Sequence, residues 1–446
     1  MEGSLRGRDF RLLTTSTGLS ALGDELALIA LTIKVADLTG SGWAVAALLL
    51  CGLLPLVIFA PAAGVIVDNF ETRRSLAIAT AIQAGVAVGL AFATGLPMIL
   101  MLTFLLGTAS AVENPSIYTL VPRVVGDDHA TEGNAYLEAA RYSGMIAGPV
   151  LAGSIAAGVG TRVALLVDAA TFVVIATCAL LLRVRREGVE ARDAEEQARA
   201  GFRVIRRDRV LVVAFAVIGA VILFAAMDNV AEIFFARRTL DAGAWGYGVL
   251  ASTWLVGMVG GATLIGRRLD DDRLLGSMSL AAVVNGAAVF AAAALANLPL
   301  AIVLFFAGGL ANGVETVAMR SLIVHRVADR VRGRAFASYG ALVNGMQLGA
   351  TAAAGALVAG LGGRTALLIG GVGTTLAGLG GLIAARALER RAAPSMELQD
   401  EARSEDTSGE VAAPERTVPE SAPPLPRRPD VTRLPESEPV QPVSEP

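Results

Sequence analysis

The sequence predicts an all-α polytopic membrane protein in which twelve transmembrane helices form two pseudo-symmetric six-helix bundles. Of the 446 residues, 54% are hydrophobic and 17% are charged, whereas soluble domains average about 45–50% apolar and about 25% charged residues. About twelve apolar runs approach the length of ~20 residues that a bilayer-spanning helix needs. Backbone polar groups must be paired inside a bilayer, so we expect these runs to be helices. A repeat of charged residues supports the division into two halves.

The apolar runs place six spans in the first half of the chain. We expect them at about Phe10–Ala36, Ala44–Val67, Ser75–Thr94, from the Gly95-Leu96-Pro97 turn to Val121, Tyr136–Gly158 and Val163–Leu182. The second half follows the same plan. Its spans are expected at about Val210–Phe235, Trp245–Ile265, Leu274–Leu295, Pro299–Val324, Ala335–Leu361 and Ala366–Ala385.

Composition divides the chain into four regions. Residues 1–182 form an N-terminal six-helix bundle and residues 210–390 a C-terminal one. Residues 183–209 between them, crowded with arginine and acids, are predicted to be a cytoplasmic linker. Residues 391–446 contain 11 of the 18 prolines and no aromatic residue. Such a segment buries little apolar surface, so we expect a disordered, Pro-rich cytoplasmic tail.

Arginine placement predicts the orientation in the membrane. Arginines crowd the N-terminus, the connections after spans two, eight and ten, the central linker and the end of span twelve. The opposite connections contain only Arg162, Arg237, Arg238 and Arg364. The positive-inside rule therefore places both termini in the cytoplasm of a multi-pass protein of the cell inner membrane.

Several charged residues recur at nearly one offset. Gly64-x-x-x-Asp68 returns as Gly266-x-x-x-Asp270, and 266 − 64 = 202. Glu113 returns as Glu315, and 315 − 113 = 202. Asp24 and Asp228 differ by 228 − 24 = 204. Matches of this kind in apolar runs predict a parallel repeat of two six-span halves with its axis along the membrane normal.

Motifs at the second connection and in span five resemble those of the major facilitator superfamily, over roughly residues 8–390. The stretch from Gly64 and Asp68 to Arg73 and Arg74 is similar to the family's loop two–three signature, although Asn69 stands where a basic residue is common. The segment from Gly144 through Gly148-Pro149 to Gly153 resembles its antiporter motif, which is associated with export. The span-four arginine motif of many drug antiporters is missing. The nearest branch is the bacterial enterobactin-exporter and macrolide-efflux-like group, as the sequences around Asp24, Leu38-Thr39-Gly40-Ser41 and Arg332-Gly333-Arg334 indicate.

Four acids are candidates for proton coupling or for the substrate cavity. They are Asp24, Glu113, Asp228 and Glu315, on spans one, four, seven and ten. The resemblance implies that these four spans line a central cavity. A carboxyl group in hydrocarbon is costly and marks a functional site by default. Burial favours its protonated form, so it could exchange protons or bind a cationic drug. The alternative is that these acids lie near span ends or pair with amides and arginines, and for Asp168 in span six we favour such a structural role.

The residues of the loop motif are candidates for a cytoplasmic gate. They are Gly64, Asp68, Arg73, Arg74, Gly266 and Asp270. A carboxylate at a helix end can bind the positive N-terminal end of another helix. The resemblance places the start of span eleven opposite Asp68, and Asp270 would act similarly against span five. The alternative is that these charges only flank spans.

Small residues in span five form the third candidate set. Gly144, Gly148 and Gly153 are expected to share roughly one helix face, which allows close helix contact. Pro149 removes a backbone hydrogen bond and can bend the span. Plain helix packing is the alternative.

These residues predict a secondary-active efflux transporter that exports a small amphipathic molecule, a drug, antibiotic or siderophore-like compound, by proton antiport with alternating access. An importer on the same fold and a non-transporting scaffold acting through the Pro-rich tail remain alternatives. We expect no enzyme activity, because no nucleophile–base pair or phosphate-binding loop is recognisable. We also expect no cofactor, no metal and no nucleic acid. The predicted partners are a small-molecule substrate, protons and the lipid bilayer, and the predicted state is a monomer.

Overall fold

Long α-helices dominate the computed structural model, which describes residues 7–59, 70–126, 129–183, 205–206 and 208–409. No β-strand occurs within these ranges, which confirms the all-helical fold class. The first six helices are α1 (Arg8–Thr39), α2 (Gly42–Ile58), α3 (Thr72–Phe92), α4 (Leu96–Val125), α5 (Ala130–Gly158) and α6 (Thr161–Leu181). The second six are α7 (Arg209–Phe234), α8 (Gly243–Gly260), α9 (Leu274–Leu295), α10 (Leu298–Arg326), α11 (Asp329–Leu361) and α12 (Gly363–Gly409). They fit the twelve predicted spans one to one.

Most of these helices have the length and composition of membrane spans. Within the described ranges, nine helices are long and apolar enough to cross a bilayer. The other three are α1, α2 and α5. Charged residues inside α1 and α5 lower their apolar character, and the described part of α2 has 17 residues. The described structure thus places the two most charged of the predicted spans, α1 and α5, in the N-terminal half.

Local sequence explains where several helices begin and end. The Asp208 side chain accepts hydrogen bonds from the backbone N–H groups of Val210 and Leu211 and so caps the start of α7. Asn297 caps α10 in the same way through the N–H group of Leu300. Gly40, with φ of 61°, ends α1 in the left-handed conformation that glycine adopts without strain.

Helix packing differs between pairs within a half and pairs across the halves. In the N-terminal half, α1 packs on α5 and α6, and α3 packs on α4 and α6. In the C-terminal half, α10 packs on α8 and α9, and α7 packs on α11. The halves meet mainly through α5 with α8 and α2 with α11. Most of the inter-half contacts therefore lie in two helix pairs.

The contacts between halves lie toward one end of the molecule, where α1 is joined to α2, α7 to α8 and α11 to α12. We call this the closed end. A methyl group on Gly42, at the start of α2, would lie 2.8 Å from Cβ of Val358 near the end of α11. Nearer the start of α11, a methyl group on Gly340 or Gly345 would meet no atom within 4 Å. The start of α2 and the end of α11 are therefore closely packed at the closed end.

Charged groups reinforce the closed end. Arg237 and Arg238 lie in a π-helical turn, Phe235–Thr239, that continues α7. Arg237 forms an ion pair with Asp37 at the end of α1. Arg238 donates to the carbonyl of Gly40 at 3.1 Å and covers the Phe234 ring at 4.9 Å. Both arginines thus join the C-terminal half to the first connection of the N-terminal half.

Other cations at the closed end cap helices. Lys34 donates to the carbonyl of Leu90 at 2.7 Å, in the last turn of α3. Arg364 donates to the carbonyls of Ala293 and Ala294 at 2.9 Å each, in the last turn of α9. Both cations satisfy carbonyls that a helix end leaves without intrahelical partners.

The last helix extends beyond the predicted span. α12 runs to Gly409, whereas the sequence predicts that the tail begins at residue 391. Residues 395–413 contain no proline and include helix-favouring Glu, Leu, Met and Ala. A compact unit ends at Arg390, and residues 391–446 form a separate unit. The tail prediction for residues 410–446 lies outside the described residues.

The close approach of α5 and α8 leads to a testable prediction. A methyl group on Gly248 of α8 would collide with the carbonyl oxygen of Pro149, and one on Gly153 would lie 2.6 Å from the carbonyl oxygen of Ala244. We expect Gly248→Ala to lower the free energy of unfolding by about 1–3 kcal/mol, because overpacking forces the backbones apart. The change in stability can be measured by heating the detergent-solubilised protein while its tryptophan fluorescence is recorded.

The control lies on the same helix. Gly260 has no atom within 4 Å of its hypothetical methyl group, so Gly260→Ala should keep or raise the unfolding midpoint, since alanine favours helix over glycine. Equal midpoints for the two variants would contradict close packing of α5 on α8.

Candidate functional site

Glu113 lies at the centre of a hydrogen-bond network in the N-terminal half. Its side chain is only 2% exposed. Oε1 accepts from the Ser20 hydroxyl at 2.6 Å, and Oε2 accepts from the Gln83 amide at 2.8 Å. The same amide donates to the Ser110 hydroxyl at 3.0 Å. Three helices, α1, α3 and α4, therefore meet at one carboxyl group whose two oxygens both have donors.

Asp24 and Glu25 lie beside this network on α1. They line a cavity of about 110 Å³ together with Ser20, Arg141 of α5 and apolar neighbours. Arg141 donates to Glu138 on its own helix at 3.2 Å. Asp24 is exposed and Glu25 half-buried, in contrast to Glu113. The structure thus brings Asp24 and Glu113 together around Ser20, with an arginine at the same cavity.

Asp168 on α6 lies behind α1. It is fully buried, with 0% exposure, and neither carboxylate oxygen has a hydrogen-bond partner in the described part of the chain. The Thr171 hydroxyl donates to its backbone carbonyl at 2.7 Å. The same hydroxyl lies beside the Asp168 carboxyl group, and the structural role that the sequence favours for Asp168 remains a prediction.

The C-terminal half contains a related but less complete arrangement. Glu315 on α10 is 1% exposed, and neither of its oxygens has a hydrogen-bond partner among the described residues. The amide of Asn285 on α9 lies close to it. Gln83 and Asn285 are related by 285 − 83 = 202, the offset that relates Glu113 to Glu315. The repeat therefore places an amide beside a carboxyl group in both halves.

Asp228 and Glu232 lie on α7, one turn apart. Both are half-buried, and within the described ranges Asp228 Oδ1 and Glu232 Oε1 lack hydrogen-bond partners. Tyr247 of α8 is buried near Glu232 and near Glu25 of the other half. Asp228 is therefore not joined to Glu315 by any hydrogen bond described here, and it lies toward the closed end.

The structure describes only part of the predicted gate. Gly64 and Asp68 lie outside the described residues. Arg73 donates to the carbonyl of Leu182 at 2.9 Å, beyond the end of α6, and Arg73 and Arg74 both form ion pairs with Glu71. These two arginines fasten the start of α3 to its own half.

The second copy of the gate motif begins after a π-helical turn. Gly266 packs on α10, where a methyl group would lie 3.0 Å from Val317. Asp270 is exposed, and its carbonyl accepts from the N–H group of Arg273 at 3.1 Å. The gate role of both copies remains a prediction.

The small residues of α5 contact two different helices. Methyl groups on Gly144 and Gly148 would collide with α1, at Gly18 and Glu25. Gly153 instead packs on Ala244 of α8, in the other half. The expectation that the three glycines share one face is wrong, because nine residues at 3.6 per turn place Gly144 and Gly153 on opposite sides.

Pro149 lies where a serine from the other half enters α5. The Ser252 hydroxyl of α8 donates to the carbonyl of Ile146 at 2.8 Å and accepts from the N–H group of Val150 at 3.0 Å. These two backbone groups would bond each other in a regular helix. The hydroxyl therefore bridges a backbone hydrogen bond of α5, a known cause of helix bending.

Sequence reasoning missed several of these residues. They are Ser20, Gln83, Arg141, Ser252 and Asn285. Only Gln83 and Asn285 carried a signal, the shared 202-residue offset. No group of three or more His, Cys, Asp or Glu side chains in the described ranges is suited to hold a metal ion.

The serine bridge yields a second prediction. Ser252→Ala should lower the free energy of unfolding by about 0.6–1.7 kcal/mol, the range for hydrogen bonds between membrane helices. The amide of Val150 should also change its hydrogen-exchange rate, since its acceptor is removed. Ser279→Ala is the matched control, because the buried Ser279 hydroxyl bonds only within its own helix, to Leu275. An equal effect of both substitutions on stability would exclude a bridge between halves.

Relatives of known sequence point to membrane transport. Macrolide efflux protein A of Streptococcus pyogenes is 22% identical over 227 residues, which cover 49% of this chain and 56% of that protein. The match thus spans about half the length of that relative. The uncharacterized MFS-type transporter YfiS of Bacillus subtilis (strain 168) is 22% identical over 395 residues, 85% of this chain and 94% of that protein.

Solved structures share the fold at low sequence identity. The nucleoside transporter NupG has a TM-score of 0.68 at 14% identity, covering 85% of this chain and 99% of that one. A bacterial homolog of the human lysosomal transporter Spinster, in an inward-facing and unoccupied conformation, has a TM-score of 0.66 at 14% identity, covering 86% and 98%.

The sequence profile of the Major Facilitator Superfamily matches residues 13–284, more than half of the chain. This match agrees with the helical fold and with the transporters named above. The chain therefore belongs to the Major Facilitator Superfamily, a family of membrane transporters rather than enzymes.

Proposed function

We propose that this protein is a secondary-active exporter of a small amphipathic molecule, driven by proton entry. The observation that carries the proposal is the pair of repeat-related acids, Glu113 and Glu315, buried in membrane-spanning helices. An ionised carboxylate in such surroundings is costly, whereas a protonated one is not. Acids kept at these positions therefore favour proton exchange over a purely structural role.

Glu113 and Glu315 differ in their hydrogen-bond donors, and this difference suits proton exchange. Glu113 accepts two hydrogen bonds, from Ser20 and Gln83, and these stabilise a negative carboxylate. Glu315 has only the Asn285 amide beside it and no second donor among the described residues, so a proton contributes more to its stability. We infer that the two halves hold protons under different conditions, which a cycle of proton loading and release requires.

Asp24 gives the network access to solvent and substrate. It is exposed in the cavity beside Ser20, whereas Glu113 behind it is buried. A proton or a cationic group reaching Asp24 would change the charge next to Glu113. Asp24 is therefore assigned to substrate or proton entry and Glu113 to proton holding. Asp228 occupies the repeat-related position on α7.

Alternating access is supported by the small size of the inter-half contacts. Glycine contacts, the Ser252 bridge and the Asp37–Arg237 ion pair hold the closed end. The arginine distribution places this end outside the cell, so the described conformation opens toward the cytoplasm. Arg73, Arg74 and the Gly266–Asp270 segment lie at the other end, where a cytoplasmic gate would form.

The direction and the cargo class rest on the efflux relative and on the α5 motif. Macrolide efflux protein A is named for export of a drug-like molecule. Gly148 and Pro149 of the motif associated with export lie at the contact of α5 with α1 and α8. Few aromatic residues and many alanines indicate a cavity that accepts apolar shapes, without a recognisable specific pocket.

Inside-out vesicles test the proposal. Their lumen corresponds to the outside of the cell, so an acidic lumen should drive uptake of at least one compound from a panel of macrolides, cationic drugs and siderophores. A protonophore should abolish the uptake. Glu113→Gln and Glu315→Gln should reduce it to the level of vesicles without the protein, because neither amide can carry a proton.

Glu132→Gln is the matched control. Glu132 is an exposed acid at the start of α5, paired with His129 at 3.9 Å, and its substitution should leave uptake unchanged. Uptake by right-side-out vesicles would indicate an importer. Proton-coupled uptake that survives both glutamate substitutions would remove these acids from the mechanism.

A further inference from the structure

We propose that Asp168 is a third proton-holding group of the N-terminal half, which titrates together with Asp24 through the gap left by Gly23. The proposal rests on the proposed use of protons and adds a residue on α6, a helix outside the set implied to line the cavity. Asp168 is fully buried, and both carboxylate oxygens lack hydrogen-bond partners among the described residues.

The absence of a side chain on Gly23 allows Asp168 to reach α1. A methyl group on Gly23 would lie 2.6 Å from Oδ1 of Asp168 and would also collide with the Thr171 hydroxyl. The carboxyl group therefore fills the space that any other residue at position 23 would occupy. Asp24 is the next residue of the same helix and lies within electrostatic range of Asp168.

The repeat shows that packing does not require an acid here. The position related to Asp168 is Gly370 on α12, since 370 − 168 = 202, and the position related to Gly23 is Met227 on α7, since 227 − 23 = 204. Gly370 packs against the α7 backbone, with its hypothetical methyl group 2.9 Å from the carbonyl oxygen of Phe224 and 3.7 Å from Oδ1 of Asp228. The C-terminal half fills the equivalent contact with a methionine opposite a glycine, whereas the N-terminal half places a carboxyl group opposite a glycine.

The charged groups around Asp168 explain how it would act. Asp24 of α1 and Glu113 of α4 lie within electrostatic range. Glu25 of α1 and Arg141 of α5 lie at the adjoining cavity, Arg141 being paired with Glu138. From α3, the amide of Gln83 faces the cluster and carries no charge.

These charges make the titrations interdependent. A negative charge on Asp24 or Glu113 raises the cost of ionising Asp168, because like charges repel strongly in a buried site. The protonation states of Asp168 and Asp24 therefore depend on each other, and the pair forms a coupled system rather than two independent groups. The N-terminal half then holds one more exchangeable proton than the C-terminal half provides for.

Infrared difference spectroscopy tests this proposal without a substrate. The full-length protein in lipid nanodiscs is titrated with pH, and the carbonyl stretch of protonated carboxyl groups is followed. The spectrum should contain a band from a carboxyl group without hydrogen bonds, and Asp168→Asn should remove it. Asp24→Asn should lower the midpoint pH of that band by about one unit or more, because the charge that opposes ionisation is removed.

Two controls separate a proton-holding role from a structural one. Glu132→Gln should leave the band and its midpoint unchanged, and Asp168→Glu should restore a protonated-carboxyl band. If Asp168→Asn does not fold, the Asp24→Asn shift in otherwise wild-type protein remains the deciding measurement. A spectrum that Asp168→Asn leaves unchanged, or a midpoint that does not respond to Asp24→Asn, overturns the proposal. The vesicle assay tests proton-driven export, whereas the infrared measurement tests only the protonation of Asp168. The failure of one proposal can therefore be told from the failure of the other.

Discussion

The contact between α5 and α8 is the connection on which the rest of the structure depends. Its members are small: Gly153 and Gly248 bring the backbones together, and the Ser252 hydroxyl replaces a backbone bond of α5. Such a contact is close and directional, because two backbones and a hydroxyl group form it. When the halves part, Val150 and Ile146 can bond each other directly. The N–H group of Val150 and the carbonyl of Ile146 therefore have hydrogen-bond partners whether the halves are together or apart.

The buried acids of the two halves have different hydrogen-bond donors around them, although the helices of both halves follow one plan. The N-terminal half gives Glu113 a hydroxyl and an amide, and it adds Arg141 and Asp168 around α1. In the C-terminal half, Phe224 stands at the position related to Ser20 by the 204-residue offset, and Glu315 has only Asn285 nearby. Duplication thus preserved the positions of the acids, while their surroundings diverged.

The sequence predicted the helices well because a bilayer permits few alternatives for an apolar run. The positions of Glu113 and Glu315 followed from the repeat in the same way. Contacts between distant helices could not be predicted from the sequence. Ser20 and Glu113 are far apart in sequence, and nothing local indicates that α1 turns Ser20 toward α4. The α5 motif was misjudged because spacing by five residues moves Gly153 around the helix from Gly148. The hydrogen bonds of Ser252 to α5 could not be predicted either. In an apolar run, such a serine cannot be told from one whose hydroxyl bonds to its own helix. The Gln83–Asn285 relation was visible and was overlooked because neither residue is charged.

The four arginines at the closed end bear on how the chain enters the membrane. Arg237 is paired with Asp37, Arg238 binds Gly40, Arg364 caps α9, and Arg162 covers the Phe92 ring at 3.8 Å. Each exception to the arginine asymmetry thus has a place in the folded protein. If the closed end faces outward, as the positive-inside rule predicts, these four arginines are carried across the membrane during insertion, and the folded protein then holds them through the contacts above. The folded structure would then require cationic residues on the side of the membrane that insertion disfavours.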